Sequence, residues 1–155
     1  MRDIHLLPIG PVDEDTLIAI ASGIRDTFGV GVDRLQHLEA PEYAFDSARR
    51  QYSSELILRE IASQESDGAL RILAVTDVDL FIPMLTFVYG QAQLNGKASL
   101  ISTARMQQEF YGLRQNRTLT LRRIVKESLH ELGHTFGLTH CLSPSCLMAV
   151  ATAIG

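Results

Sequence analysis

Apolar residues fall into two kinds of run along this chain. Residues 4–9 (IHLLPI) and 70–75 (LRILAV) are short and nearly continuous, the pattern of strands buried on both faces. Between them the spacing turns helical. Leu17, Ile20, Ala21, Ile24 and Phe28 recur at intervals of three and four, Asp13 stands at the cap position, Glu14 and Asp15 occupy the first turn, and Gly29 ends the run. Residues 30–38 form a weaker, more polar strand candidate, and Pro41 marks the break after it. From about residue 43 to residue 63, Phe45, Ala48, Tyr52, Leu56 and Ile61 can share one face, which predicts a second helix with Arg49, Arg50, Glu55 and Glu60 on the wet side.

The pattern then changes. Residues 85–94 alternate, Phe87, Tyr89, Gln91 and Gln93 on one side and Val88, Gly90, Ala92 and Leu94 on the other; Asn95-Gly96 is a two-residue hairpin signal, and residues 98–102 supply the returning strand. Residues 106–116 read as a polar connection. A last helix begins near Asn116 or Thr118 and carries Leu121, Val125, Leu129, Leu132 and Phe136 as its core stripe, with Ile124 beside it. Strand, helix, strand, helix, strand is the order of a mainly parallel α/β sheet with helices packed on it. One hairpin strand must then run antiparallel and sit at the sheet's edge. An exposed edge offers free backbone N–H and C=O groups to which an extended peptide can add as a further strand. A hairpin edge without a ligand is the equally weighted alternative.

A length of 155 residues suits one domain spanning 1–155, with residues 1–137 holding the sheet and the last helix and residues 138–155 a short C-terminal part. The net charge of -4 gives no electrostatic reason to expect a nucleic-acid or anionic-membrane partner. The first ten residues are interrupted by His5 and Pro8 and lack the apolar core of a signal peptide. No window approaches the roughly 20 apolar residues of a membrane helix. The expected location is the cytoplasm, where Cys141 and Cys146, the only cysteines, stay reduced. Nothing in the pattern sets an oligomeric state.

The chemistry concentrates in residues 130–140, HELGHTFGLTH, which hold three of the five histidines. His130 and His134 are four apart and project from one helix face, so two imidazoles can grip one metal ion, with Glu131 placed to act on a bound water. Catalytic zinc takes three protein ligands and keeps a fourth position for water. Gly137 can adopt a left-handed conformation that turns the chain off the helix and brings His140 back to the metal. HExxH alone occurs by chance in helices of unrelated proteins. The glycine and third histidine at these offsets favour zinc, and a purely structural site would have no use for Glu131.

The run HELGHTFGLTHCLSPSCLM extends the motif through Cys141, Cys146 and Met148. It resembles the archaemetzincins, or archaelysins, a family of metzincin zinc peptidases whose pattern is HExxHxxGxxHCx4CxM followed by 17 residues and CxxC. Only residues 130–148 make the likeness specific. The resemblance implies a mixed α/β metzincin-like fold, a mainly parallel twisted sheet with an antiparallel edge strand, and HExxH on the active-site helix. It implies a catalytic zinc on His130, His134 and His140, Glu131 as general base, and Met148 in a methionine turn beneath the site. It also implies that Cys141 and Cys146 are half of a four-cysteine structural zinc site; two reduced thiols without a metal remain the alternative. The later CxxC does not occur in the seven residues after Met148, so this second zinc is less firmly expected than the first.

The expected function is therefore zinc-dependent hydrolysis of peptide bonds, by attack of a zinc-bound water on a peptide or protein substrate lying extended along residues 85–94. The alternatives are a catalytically silent, zinc-stabilised peptide-binding module and a zinc hydrolase of small amides.

Overall fold

The computed structural model describes residues 2–64, 68–143 and 145–149. Five strands form the main sheet: β1 (Ile4–Ile9), β2 (Val32–Arg34), β5 (Arg71–Thr76), β7 (Gly90–Ala92) and β8 (Ala98–Ser102), in the order β2-β1-β5-β8-β7. All neighbours are parallel except β7, which runs antiparallel to β8 at the edge, as the hairpin requires. Three helices cover the sheet: α1 (Glu14–Phe28), α2 (Ser54–Ser63) and α3 (Arg117–Thr135).

The strand pleat sorts the core into two layers. Ile4, Leu6, Leu73, Val75 and Ile101 face one way and pack with Leu17, Ile20 and Ile24 of α1 and Ile124, Leu129 and Leu132 of α3. Leu7, Ile9, Ile72, Ala74 and Leu100 face the other way, onto Ile57, Leu58 and Ile61 of α2. Burial on both faces explains why these strands read as continuous apolar runs. Among the described residues, no helix is long and apolar enough to cross a membrane.

Local chemistry sets the helix ends. Asp13 Oδ1 accepts from Thr16 N at 2.9 Å, and Gly29 closes α1 at φ 66°. Asn116 Oδ1 accepts from Leu119 N at 3.1 Å to start α3. Arg71 on β5 donates to the Thr135 carbonyl and lies 4.4 Å from the Phe136 ring centroid, which ties the end of α3 to the sheet.

Four expectations are corrected. The second helix does not begin near residue 43. A 3-10 turn (Glu42–Ala44) and two short strands, β3 (Phe45–Asp46) and β4 (Gln51–Ser53), precede it. Asp46 Oδ1 accepts from the backbone N–H groups of Ala48 and Arg49, and Arg50 takes φ 55°, so the chain reverses where the apolar spacing suggested a helix. β3, β4 and β6 (Leu80–Phe81) form a separate three-stranded sheet that the sequence reading lacked.

The alternating run is also shorter as a strand: only Gly90–Ala92 pairs along β8, with an isolated bridge from Val88 to Leu80. The reversal after it is longer than two residues, since Gln93 N donates to Ala98 O, Gly96 N to Gln93 O, and the Gln93 side chain accepts from Lys97 N and Ala98 N. Finally, the connection before α3 is not wholly polar. It contains 3-10 turns at Ala104–Met106 and Gln108–Tyr111, and Met106 is fully buried.

Candidate metal centre and active-site cleft

Along its core stripe α3 is partly buried at Leu121 and Val125 and buried at Leu129 and Leu132, and from Glu127 to Gly133 it is buried on every side. It passes behind β7 there, and the histidines emerge at its C-terminal end. His130 is 6% exposed, His134 half-buried and His140 exposed. Phe136 N and Leu138 N both donate to Gly133 O, and Gly137 takes φ 92°. That left-handed turn lets residues 138–140 fold back under the helix end, as expected for Gly137.

One ligand nitrogen from each of His130, His134 and His140 lies within 4.8 Å of the other two. His130 Nδ1 lies 2.9 Å from the Leu147 carbonyl and His134 Nδ1 2.8 Å from the Leu138 carbonyl. Each contact fixes the tautomer with the proton on Nδ1 and leaves the Nε2 lone pair free. The two Nε2 atoms are 3.2 Å apart. Two histidine ligands at about 2.0–2.1 Å in a tetrahedral zinc site stand roughly 3.3 Å apart, so the spacing of His130 and His134 fits zinc. Burial also holds the His134 pKa below its ordinary value, which keeps the ring neutral and able to bind a metal.

Glu131 lines the same cleft, about 410 Å³ in volume, together with Gly90, Gln91, Ala92, the three histidines and Thr139. The residue is 6% exposed. Burial pushes its pKa well above the usual carboxylate range, and the adjacent Glu127 carboxyl adds to the effect. β7 passes directly over it: a Cβ on Gly90 would sit 3.0 Å from Glu131 Cγ and 2.6 Å from the Leu100 carbonyl oxygen. Only a glycine lets strand and glutamate approach this closely. Gln91 faces the opposite layer, where Ser54 Oγ hydrogen-bonds its side chain.

Below the histidines, Met148 is buried against Gly133, whose Cβ, were there one, would lie 2.6 Å from the Met148 sulfur. Cys141 N donates to Met148 O at 2.8 Å, so the turn closes on itself. The thiols of Cys141 and Cys146 hydrogen-bond each other. That contact lowers the Cys141 pKa and raises that of Cys146. Among the described residues, no third His, Cys, Asp or Glu joins them in a metal-sized cluster; Pro144 and residues 150–155 lie outside the described set.

The model of Peptidase family M54 matches residues 26–155. The chain belongs to this family. It is 37% identical over 151 residues to the archaemetzincin of Methanocaldococcus jannaschii, covering 97% of this chain and 82% of that one. The crystal structure of archaemetzincin from Methanopyrus kandleri superposes with a TM-score of 0.85 at 30% identity, covering 99% of this chain and 83% of that one. A zinc-dependent peptidase from Methanocorpusculum labreanum superposes at 0.86 with 29% identity, covering 97% and 90%. Membership in family M54 makes this chain a zinc metallopeptidase with the metzincin-like mixed α/β fold, and sets aside the silent binding module.

The sequence had singled out His130, Glu131, His134, His140, Cys141, Cys146 and Met148, and the fold brings all seven around the end of α3. Missing from that set were Gly90, the carbonyls of Leu138 and Leu147, and Glu127. Only Glu127 left a signal: two glutamates four apart on a helix repel, and such a pair straddling the start of a metal motif is conspicuous.

Proposed function

We propose that this M54 peptidase cleaves peptide bonds with His130, His134 and His140 as the zinc ligands and Glu131 as the general base. The observation that carries the reading is the convergence of three imidazole nitrogens within 4.8 Å, on a cleft whose wall includes Glu131. The metal supplies Lewis-acid polarisation of the scissile carbonyl and a water acidified to a pKa of about 7. Glu131 takes a proton from the water as its oxygen attacks the carbonyl carbon, then delivers that proton to the leaving amine nitrogen when the C–N bond breaks. Met148 supports the ligands from below without touching the metal.

The substrate lies extended along β7. Ser102 N donates to Tyr89 O and Gln93 N to Ala98 O, so by alternation Gly90 and Ala92 direct their N–H and C=O groups away from β8, to the free edge. A peptide paired there passes across the mouth of the Glu131 cleft. N-methylation of a substrate at the amides meeting Gly90 and Ala92 should weaken cleavage; methylation of alternate amides should not.

The decisive experiment pairs two variants, read on a library of internally quenched fluorogenic peptides. Glu131→Gln should lower kcat by ~10²–10⁴-fold with zinc content unchanged, and His140→Ala should lose the zinc itself. Full turnover in Glu131→Gln, or full zinc in His140→Ala, rejects the assignment.

A second zinc on Cys141 and Cys146 is supported by the contact between their sulfurs, and would need further ligands for a closed tetrahedral site. Elemental analysis giving two zinc ions per chain, falling to one in the Cys141→Ser/Cys146→Ser variant, is the expected result; one ion in both removes the second site. A cytoplasmic location agrees with the two free thiols and is tested by cell fractionation.

A further inference from the structure

Along the cleft wall that the edge strand and its loop provide, the side chains change in size. Gly90, over Glu131, offers none, Ala92 offers a methyl, and Leu94 a whole isobutyl group. Leu94 is 56% exposed and belongs to neither core layer. An exposed leucine is ordinary on a protein surface. This one stands in the wall of the cleft that holds the three histidines, and the loop that carries it is anchored at both ends.

The first anchor is the end of α3. The His134 carbonyl accepts from Asn95 N at 3.1 Å and from Gly137 N at 3.0 Å, so the hairpin loop and the ligand turn hang from one acceptor. Asn95 takes φ 57°, a left-handed backbone that asparagine tolerates better than most residues. Its side chain occupies the space that a Cβ on Gly137 would need. The second anchor is the Gln93 side chain, which accepts from Lys97 N and Ala98 N. Leu94 lies between the two. Thr139, two residues beyond Gly137, lines the same cleft. The contact of Asn95 with Gly137 thus holds the Leu94 wall against the turn that carries Thr139, and a ligand entering between them has little to reorganise.

A peptide on the β7 edge alternates its side chains as the strand does. Those that share a face with Gly90 and Ala92 enter the cleft, and those between them turn to the side where Gln91 meets Ser54. Beside Gly90 and Ala92 an entering side chain finds almost no lateral surface. At Leu94 it finds a large apolar one, and covering it removes apolar area from water.

We propose that Leu94 is a specificity-determining residue, forming with Ala92 and Thr139 a subsite for a large apolar side chain of the substrate. The inference rests on the reading of β7 as the substrate track. The zinc-loaded protein is tested on internally quenched peptides varied one position at a time, with the cleaved bond located by mass spectrometry. At one position on one side of that bond, the parent should cut the leucine peptide with a kcat/KM about 10-fold above the glycine peptide, the low end of what a hydrophobic pocket distinguishes, because this subsite is half open. Leu94→Ala should bring that ratio down to about 1–2, at that position alone. Leu94→Glu should reverse the preference, so that lysine is cut faster than leucine there. Since Leu94 lies outside both core layers, the two variants should keep the parent's Tm and zinc content.

A parent that treats leucine and glycine alike, a leucine preference that survives Leu94→Ala, or a Leu94→Glu variant that gains nothing with lysine overturns the proposal. The N-methylated peptides separate it from the reading on which it rests. If methylation at the amides meeting Gly90 and Ala92 weakens cleavage while the preference ignores Leu94, the edge track stands and the subsite fails. If methylation there has no effect, the track fails, and the subsite built on it fails too.

Discussion

At the scale of single residues, the site depends on places where a side chain is absent. Gly137 holds φ 92°, and a Cβ there would lie 2.4 Å from Asn95 Oδ1. Gly137→Ala therefore meets both a backbone penalty of about 1–2 kcal/mol for a left-handed L-residue and a clash with the hairpin loop. Its expected result is a lower Tm together with weaker zinc affinity by competition titration, because His140 leaves the turn three residues on. Unchanged zinc affinity would show that His140 reaches the metal by some other path. Gly90→Ala is a different test. Its backbone is not left-handed, so the obstruction lies in the Leu100 carbonyl and Glu131. Turnover should fall sharply with zinc retained; a fully active Gly90→Ala would mean that strand and glutamate can separate at no cost. Gly137 was legible because a turn was needed between His134 and His140. Gly90 was not, because what it makes room for lies 41 positions away in the chain.

Among the elements, legibility followed length and burial. β1, α1, β5, β8 and α3 are long or buried enough for the apolar period to survive, and caps at Asp13, Asn116 and Gly29 mark their ends. The stretch from Glu42 to Ser53 carries helical spacing, but its strands of two and three residues are too short to show a period of two. Side-chain-to-backbone bonds at Asp46 decide its path, and the Ser53 cap, whose Oγ accepts from Leu56 N, delays the helix to Ser54. Asp13 does double duty: it caps α1, and both its oxygens accept from Arg117 at the start of α3, at 2.7 and 2.8 Å. Hydrogen bonding from Thr16, and then from Arg117, holds its pKa below the ordinary aspartate value. The unfolded chain therefore binds more protons at this position as pH falls past about 4, so the stability it contributes is present above that pH and is lost on acidification. Asp13→Ala should cost about 1 kcal/mol at pH 7 by urea unfolding, and the difference from the parent should shrink below about pH 4. A constant difference across that range would remove the charge from the explanation.

For the molecule as a whole, the sheet and its helices form one frame and the metal cluster hangs from the end of α3. The core layers contain none of the three histidines. Chelation should therefore lower Tm without erasing the far-ultraviolet circular dichroism of the folded chain, since a ligand that binds only the folded form stabilises it by mass action, about 4 kcal/mol at a thousandfold excess over Kd. Collapse of the helical signal on chelation would show that the metal holds the frame itself. The fold class could be read in advance because it follows from element order. The small second sheet could not, because it depends on the pairing of β4 with β6, a contact between segments distant in sequence. One such contact reaches further than packing. His130 finds its carbonyl partner on Leu147, and Gly133 finds its cover in Met148, both well beyond the last strand of the sheet. The residues that ready His130 for a metal and cover the helix beneath it thus lie outside the HExxH helix, so loss of the turn from Cys141 to Met148 would leave the frame standing and the first ligand unoriented.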